Sequence, residues 1–194
     1  MSNLEYLAAL LGIVNIVLIV FRSLWNYPFG IAMVALSFFV FFEAKLYSDA
    51  LLQIFFFVVQ LYGWWSWLQG RDTQGTLIVE RAGARTMAGW GLGIVVATGL
   101  WGWLMHALTN AAFPWWDAAV VMISIAAQIM MSRRWIENWA LWVLVDALAV
   151  GLYAARDLWA FAGLYAVFLI VAAWGWWEWI RVGRAQRASS VLPA

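Results

Sequence analysis

The chain contains no cysteine, which excludes disulfides, thiolate metal sites and cysteine nucleophiles. It has one histidine, His106, too little for a proton relay or a paired-histidine metal motif. Charged residues make up only 11% of 194 positions, about half the share usual in soluble domains. No phosphate-cradling glycine loop and no serine elbow occurs, so no enzyme signature is present. The first eighteen residues lack the basic start and small-residue cleavage site of a secretion signal.

What the sequence does have is apolar surface. Hydrophobic residues reach 66%, tryptophan alone numbers 17, and mean hydropathy is +0.85. Apolar runs fall at 4–21, 28–42, 49–69, 87–107, 116–131, 135–153 and 158–180. Backbone polar groups in hydrocarbon must be satisfied within a helix or closed barrel, so these runs predict seven transmembrane helices and argue against a soluble bundle. The second and fifth runs are short and need flanking residues to span.

Seven spans place the termini on opposite sides. Arg22, Arg71, Arg81, Arg85, Arg133, Arg134, Arg181, Arg184 and Arg187 share one side, and only Lys45 and Arg156 lie on the other. Nine against two predicts that the first side is cytoplasmic, with the N-terminus outside. The basic tail, 182–194, then anchors topology and can touch anionic lipid. It is too short to suggest nucleic-acid binding.

An offset of 112 positions aligns unusual residues without a gap. Arg22 meets Arg134, Asn26 meets Asn138, and Tyr27 meets Trp139. Leu46-Tyr47 meets Leu158-Trp159, and YGWWSW at 62–67 meets WGWWEW at 174–179. Hydrophobicity alone would not align arginine with arginine, so the pattern predicts an internal repeat. The expected organisation is a three-helix repeat over 1–69, a loop and linker helix over 70–112, a second repeat over 113–181, and the tail. One linker helix returns the chain to its starting side, making the repeats parallel, as in some transporters. A receptor or light sensor has no need of this repeat, and the seventh helix has no lysine for a retinal Schiff base.

Trp64 and Trp67 share a helix face, as do Trp176 and Trp179. Such pairs could stack on a planar ring, with added attraction for a cation, or could belong to an interfacial aromatic belt. The belt reading suits Trp65 and Trp177 best. Gln53, Gln60 and Asp146 suggest an interior polar path, because polar groups in lipid need partners. Asn15 and Gln128 fit that path or a helix–helix hydrogen bond equally well. Glu178, opposite Ser66 in the repeat, reads as a surface ion pair with Arg181. Asp49 and Asp117 could cap helices, and Glu43 and Glu137 are boundary residues. Gly89, Gly91, Gly93, Gly99 and Gly102 would let the fourth helix pack closely.

The stretches WNYPFG (25–30), EAKLYSDALLQIFFFVVQLYGWWSW (43–67), ENWALWVLVDALAVGLY (137–153) and LYAVFLIVAAWGWWEW (164–179) resemble the PnuC family of bacterial vitamin transporters. The resemblance implies an all-α membrane protein with a SWEET-like seven-helix fold in the inner membrane, assembled as a homotrimer. It implies facilitated diffusion of a vitamin precursor, most typically nicotinamide riboside, trapped by a cytoplasmic kinase, with no cofactor. Thiamine, riboflavin and deoxynucleosides are carried by relatives. The family's Trp-x-x-Trp feature matches Trp64/Trp67 and Trp176/Trp179, and its polar pocket would include Gln53, Gln60, Asn138 and Asp146. A sensor of another class would bind ligand saturably without flux.

Overall fold

A computed structural model describes residues 3–43, 47–72, 75–109, 113–155, 157 and 159–191. Lys45, Leu46, Arg156 and Leu158 lie outside the described residues, as do the side chains of Glu43, Tyr47 and Asp49. Seven helices follow in order: α1 (Asn3–Val20), α2 (Asn26–Glu43), α3 (Tyr47–Gln69), α4 (Ala84–Leu108), α5 (Pro114–Ser132), α6 (Asn138–Ala154) and α7 (Trp159–Val191). Each expected apolar run is a helix. Ala84–Leu108, Pro114–Ser132 and Ala162–Ser189 are each long and apolar enough to cross a membrane alone. Leu10–Val20, Asn26–Val40 and Asn138–Ala154 are shorter apolar stretches.

Among the described residues, α1 packs on α2, α2 on α3, α3 on α5, α5 on α6, α6 on α7, and α7 on α1. Six helices thus close a ring. The 112-residue offset exchanges α1–α2–α3 with α5–α6–α7 and turns the α1–α7 contact into the α5–α3 contact. Among the described residues helix α4 touches only α5, outside the ring. Its Leu92, Val95, Val96, Leu100 and Trp103 are all exposed. A helix so apolar on its free side suits lipid, not water. Of its glycines, Gly102 lies against Trp115, whereas Gly89, Gly91, Gly93 and Gly99 have open space beside them.

Both α1 and α5 end in the same device. The amides of Arg22 and Ser23 bond back to Ile19 and Leu18, and those of Arg134 and Trp135 bond back to Met131 and Met130. This pair of bonds is a Schellman motif, which puts the residue before its last in the left-handed region. Arginine occupies that position twice, with φ of 57° at Arg22 and 62° at Arg134. Without glycine the conformation costs about 1–2 kcal/mol. Both arginines therefore hold a specific direction at some expense.

The core gathers at this arginine-bearing end. Val20, Tyr27, Trp67, Met131, Ile136, Trp139, Ala172 and Trp179 form one buried cluster with Leu77 and Val79 of the α3–α4 connection. The segment expected as a separate tail is helical to Val191, since its Ala, Arg and Gln residues favour helix and it has a partner. Gln186 donates to the Leu77 carbonyl at 3.0 Å and accepts from the Val79 amide at 3.2 Å.

Candidate functional site

The two halves of the ring meet through a matched pair of indoles. Trp67 of α3 donates its Nε1–H to the Met131 carbonyl of α5 at 3.1 Å. Trp179 of α7 donates to the Ile19 carbonyl of α1 at 3.2 Å. Both are 0% exposed, and their ring centroids lie 5.9 Å apart. Tyr27 packs edge-on against Trp67 at 5.3 Å, and Trp139 against Trp179 at 5.6 Å. Gly63 and Gly175 make room: a Cβ at either would collide with Tyr27 or Trp139 respectively.

The two three-apart tryptophan pairs divide unequally. Trp67 and Trp179 form the junction itself. Trp64 is partly buried and stacks on Tyr27 at 6.1 Å, nearly parallel at 4°. Trp176 is 37% exposed, and Trp65 and Trp177 are exposed further, at 59% and 60%. Accordingly Trp64 and Trp176 retain surface that a ligand could cover.

The arginines brace the junction. Arg134 donates to the Ser66 carbonyl at 2.7 Å and hydroxyl at 3.0 Å, and pairs with Glu80 at 2.6 Å. Arg22 lies 3.6 Å from Glu178, which Arg181 also holds at 2.9 Å. The expected Glu178–Arg181 pair exists, but Glu178 is not a surface residue. It is 7% exposed, because α1 brings Arg22 against it.

Interior polar residues differ between the halves. Gln60 of α3 and Asn15 of α1 are buried beside Gly30 of α2, where a Cβ would strike both amide nitrogens. Asn15 also donates to the Asn26 carbonyl at 2.6 Å. The offset carries Gly30 to Trp142, Gln60 to Ala172 and Asn15 to Ala127, and both alanines are fully buried. One half fills its space with two amides over a glycine. The other has an indole and two alanines at the matching positions, and Trp142 packs against the cluster containing Ala172.

Asn138 donates its Nδ2–H to the Trp135 carbonyl at 2.5 Å, as Asn26 does to Ser23 at 2.6 Å. Both asparagines therefore start a helix, and Oδ1 of Asn138 is buried without a partner. Along α6, Trp142 and Asp146 follow at one-turn intervals. The Trp142 Nε1 is also buried and unpartnered. Asp146 is 3% exposed. These three residues line one face of α6, and two of them, Asn138 and Trp142, carry buried polar atoms without a partner. Gln53 stands apart from Gln60. It lines an apolar groove of about 250 Å³ between α2 and α3 with Val34, Phe38 and Phe57.

Trp142, Gly30 and Glu80 were not singled out in the sequence. Trp142 and Gly30 could have been found from the offset, since an indole facing a glycine is the largest volume mismatch between the repeats. Glu80 carries no such signal. No cluster of His, Asp and Glu among the described residues could hold a metal.

Comparison with known proteins places this geometry. The model of the nicotinamide mononucleotide transporter family matches residues 2–181. The nicotinamide riboside transporter PnuC of Escherichia coli is 30% identical, with 99% of this chain and 90% of the relative covered. The riboflavin/roseoflavin transporter RibM of Streptomyces davaonensis is 31% identical over 88% of this chain and 81% of its own. A crystal structure of the vitamin B3 transporter PnuC superposes with a TM-score of 0.77 at 27% identity, covering 95% of this chain and 83% of that one. These relatives are transporters, not enzymes.

Proposed function

This chain belongs to the nicotinamide mononucleotide transporter family, and from that premise we propose that it mediates facilitated uptake of nicotinamide riboside across the bacterial inner membrane. The observation that carries the reading is the ring of two three-helix units, joined at one end by the indole pair and holding unpartnered polar groups in its interior. Alternating access needs two bodies that part about a central site, and a ring with two equivalent junctions supplies them. The joined end is the cytoplasmic mouth on the arginine distribution. Imported substrate is trapped by a cytoplasmic kinase, and the protein works as a homotrimer with its N-terminus outside.

The pocket would use Trp64 and Trp176 as ring contacts, with Gln60, Asn138 and Asp146 reading polar edges. Gln53 would join from the α2–α3 side, and Trp67 and Trp179 would form the floor. The buried carboxylate of Asp146 favours a cationic ring, which nicotinamide riboside and thiamine both carry. A flavin is the second reading, on the likeness to RibM. Titration of the purified protein with nicotinamide riboside, thiamine, riboflavin and a deoxynucleoside, followed by uptake into proteoliposomes, separates them. Saturable binding and flux of nicotinamide riboside alone is the expected result. Binding without flux would mark a sensor, and flux of another compound would reassign the substrate.

A further inference from the structure

One mismatch of the repeat falls beside the matched arginines: Glu178 in α7 stands where α3 has Ser66. Arg22 and Arg134 are equivalent in the repeat, in backbone geometry and in direction. Arg22 finds its carboxylate on Glu178, within the ring. Arg134 finds only a hydroxyl and a carbonyl at Ser66. Its carboxylate comes instead from Glu80, in the connection between α3 and α4.

That connection is built to deliver it. Glu80 bonds through its backbone to both sides of the α5–α6 turn, its amide to the Arg134 carbonyl and its carbonyl to the Ile136 amide, each at 3.0 Å. Ala82 donates its amide to Glu137 at 3.0 Å. Leu77 and Val79 are buried beneath, 2% and 6% exposed, and Gln186 clamps the backbone from α7. The segment leaves the first half of the ring, bonds once to its own start through Ile78 and Gly70, and at Glu80 and Ala82 is fastened to the second half.

We propose that Glu80 is the gate carboxylate of the second junction, the functional counterpart of Glu178 supplied in trans to the repeat by the connecting strap. This rests on the transporter reading of the ring. Each junction then has one arginine turned across its seam and one acid holding it there. The mouth opens when Arg22 leaves Glu178 and Arg134 leaves Ser66, with Glu80 moving alongside Arg134. Glu80 acts as a positioning residue: it orients Arg134 across the α3–α5 seam and touches no permeant.

The natural absence of cysteine allows a clean test. A reporter cysteine at Ala172, fully buried two turns along α7 from Trp179, is exposed to a membrane-impermeant maleimide added on the strap side in proteoliposomes without substrate. Glu80→Gln in that background should raise the labelling rate by about two- to fivefold, within the range expected for one partly exposed ion pair. Adding Ser66→Glu to Glu80→Gln places the acid where Glu178 stands and should return the rate to that of the parent. Unchanged labelling in Glu80→Gln would overturn the proposal. So would faster labelling that Ser66→Glu leaves uncorrected, since Glu80 would then be a fastener of the strap and not a replaceable charge. Because labelling needs no substrate, these outcomes do not depend on which vitamin is carried. Loss of labelling differences alongside intact flux would sink the gate alone.

Discussion

Replacing Trp179 by phenylalanine removes one indole N–H from the junction and keeps an aromatic ring in place. The Ile19 carbonyl that loses this donor still accepts the Arg22 amide at 2.9 Å, so it is not left bare. The lost hydrogen bond is therefore worth about 1 kcal/mol, not the full penalty of an orphaned group. The smaller ring leaves a void at a site with 0% exposure, adding about 1 kcal/mol. Together these predict a loss of about 2 kcal/mol, or about 4–8 °C in Tm for a chain of this size. Trp67→Phe should cost the same, because Met131 likewise keeps the Arg134 amide. The double variant should fall short of the sum by about 1 kcal/mol, since the rings touch each other. Thermal unfolding of the detergent-purified proteins measures all three. A shift under about 1 °C, or single variants differing more than about twofold, would refute the matched-junction reasoning.

Gly30→Ala should lower Tm and weaken substrate binding together, because the new methyl displaces the Gln60 and Asn15 amides; a well-folded variant with parental affinity would remove those amides from the site. Trp64→Ala should weaken ligand binding with a smaller Tm loss than Trp67→Ala, since only Trp64 retains accessible surface; the reverse order in a fluorescence titration would count against the division of roles. Asp146→Asn should reduce affinity for a cationic ring by about tenfold while sparing a neutral flavin, as the loss of a charge-assisted contact requires. Calorimetry with both ligands decides it, and equal losses would make Asp146 structural.

The helices were legible in the sequence because lipid demands long apolar runs, and six of the seven lie within a few residues of expectation at both ends. The offset also located the residues of the junction, Arg22, Asn26, Trp67 and their partners 112 positions on. It did not distinguish Trp67 from Trp64. Both lie on one helix face, and only the crossing of α3 with α5 decides which indole reaches a carbonyl. Gln53 and Gln60 likewise share spacing but not surroundings, because the neighbouring helix differs at each height. The last helix ran past the expected span to Val191, since hydropathy detects lipid contact and is blind to Gln186 bonding a loop 107 and 109 residues away.

The exchange of Gly30, Gln60 and Asn15 for Trp142, Ala172 and Ala127 constrains how either half can change. Three helices share one small volume, so a tryptophan at position 30 has nowhere to go until both amides have shrunk. An alanine at 172 enlarged to glutamine would crowd the fully buried cluster against which that indole packs. Any route from one arrangement to the other passes through a void or a collision, and it returns to good packing only at the third substitution. The polarity of each wall of the ring is therefore tied to volume as much as to chemistry.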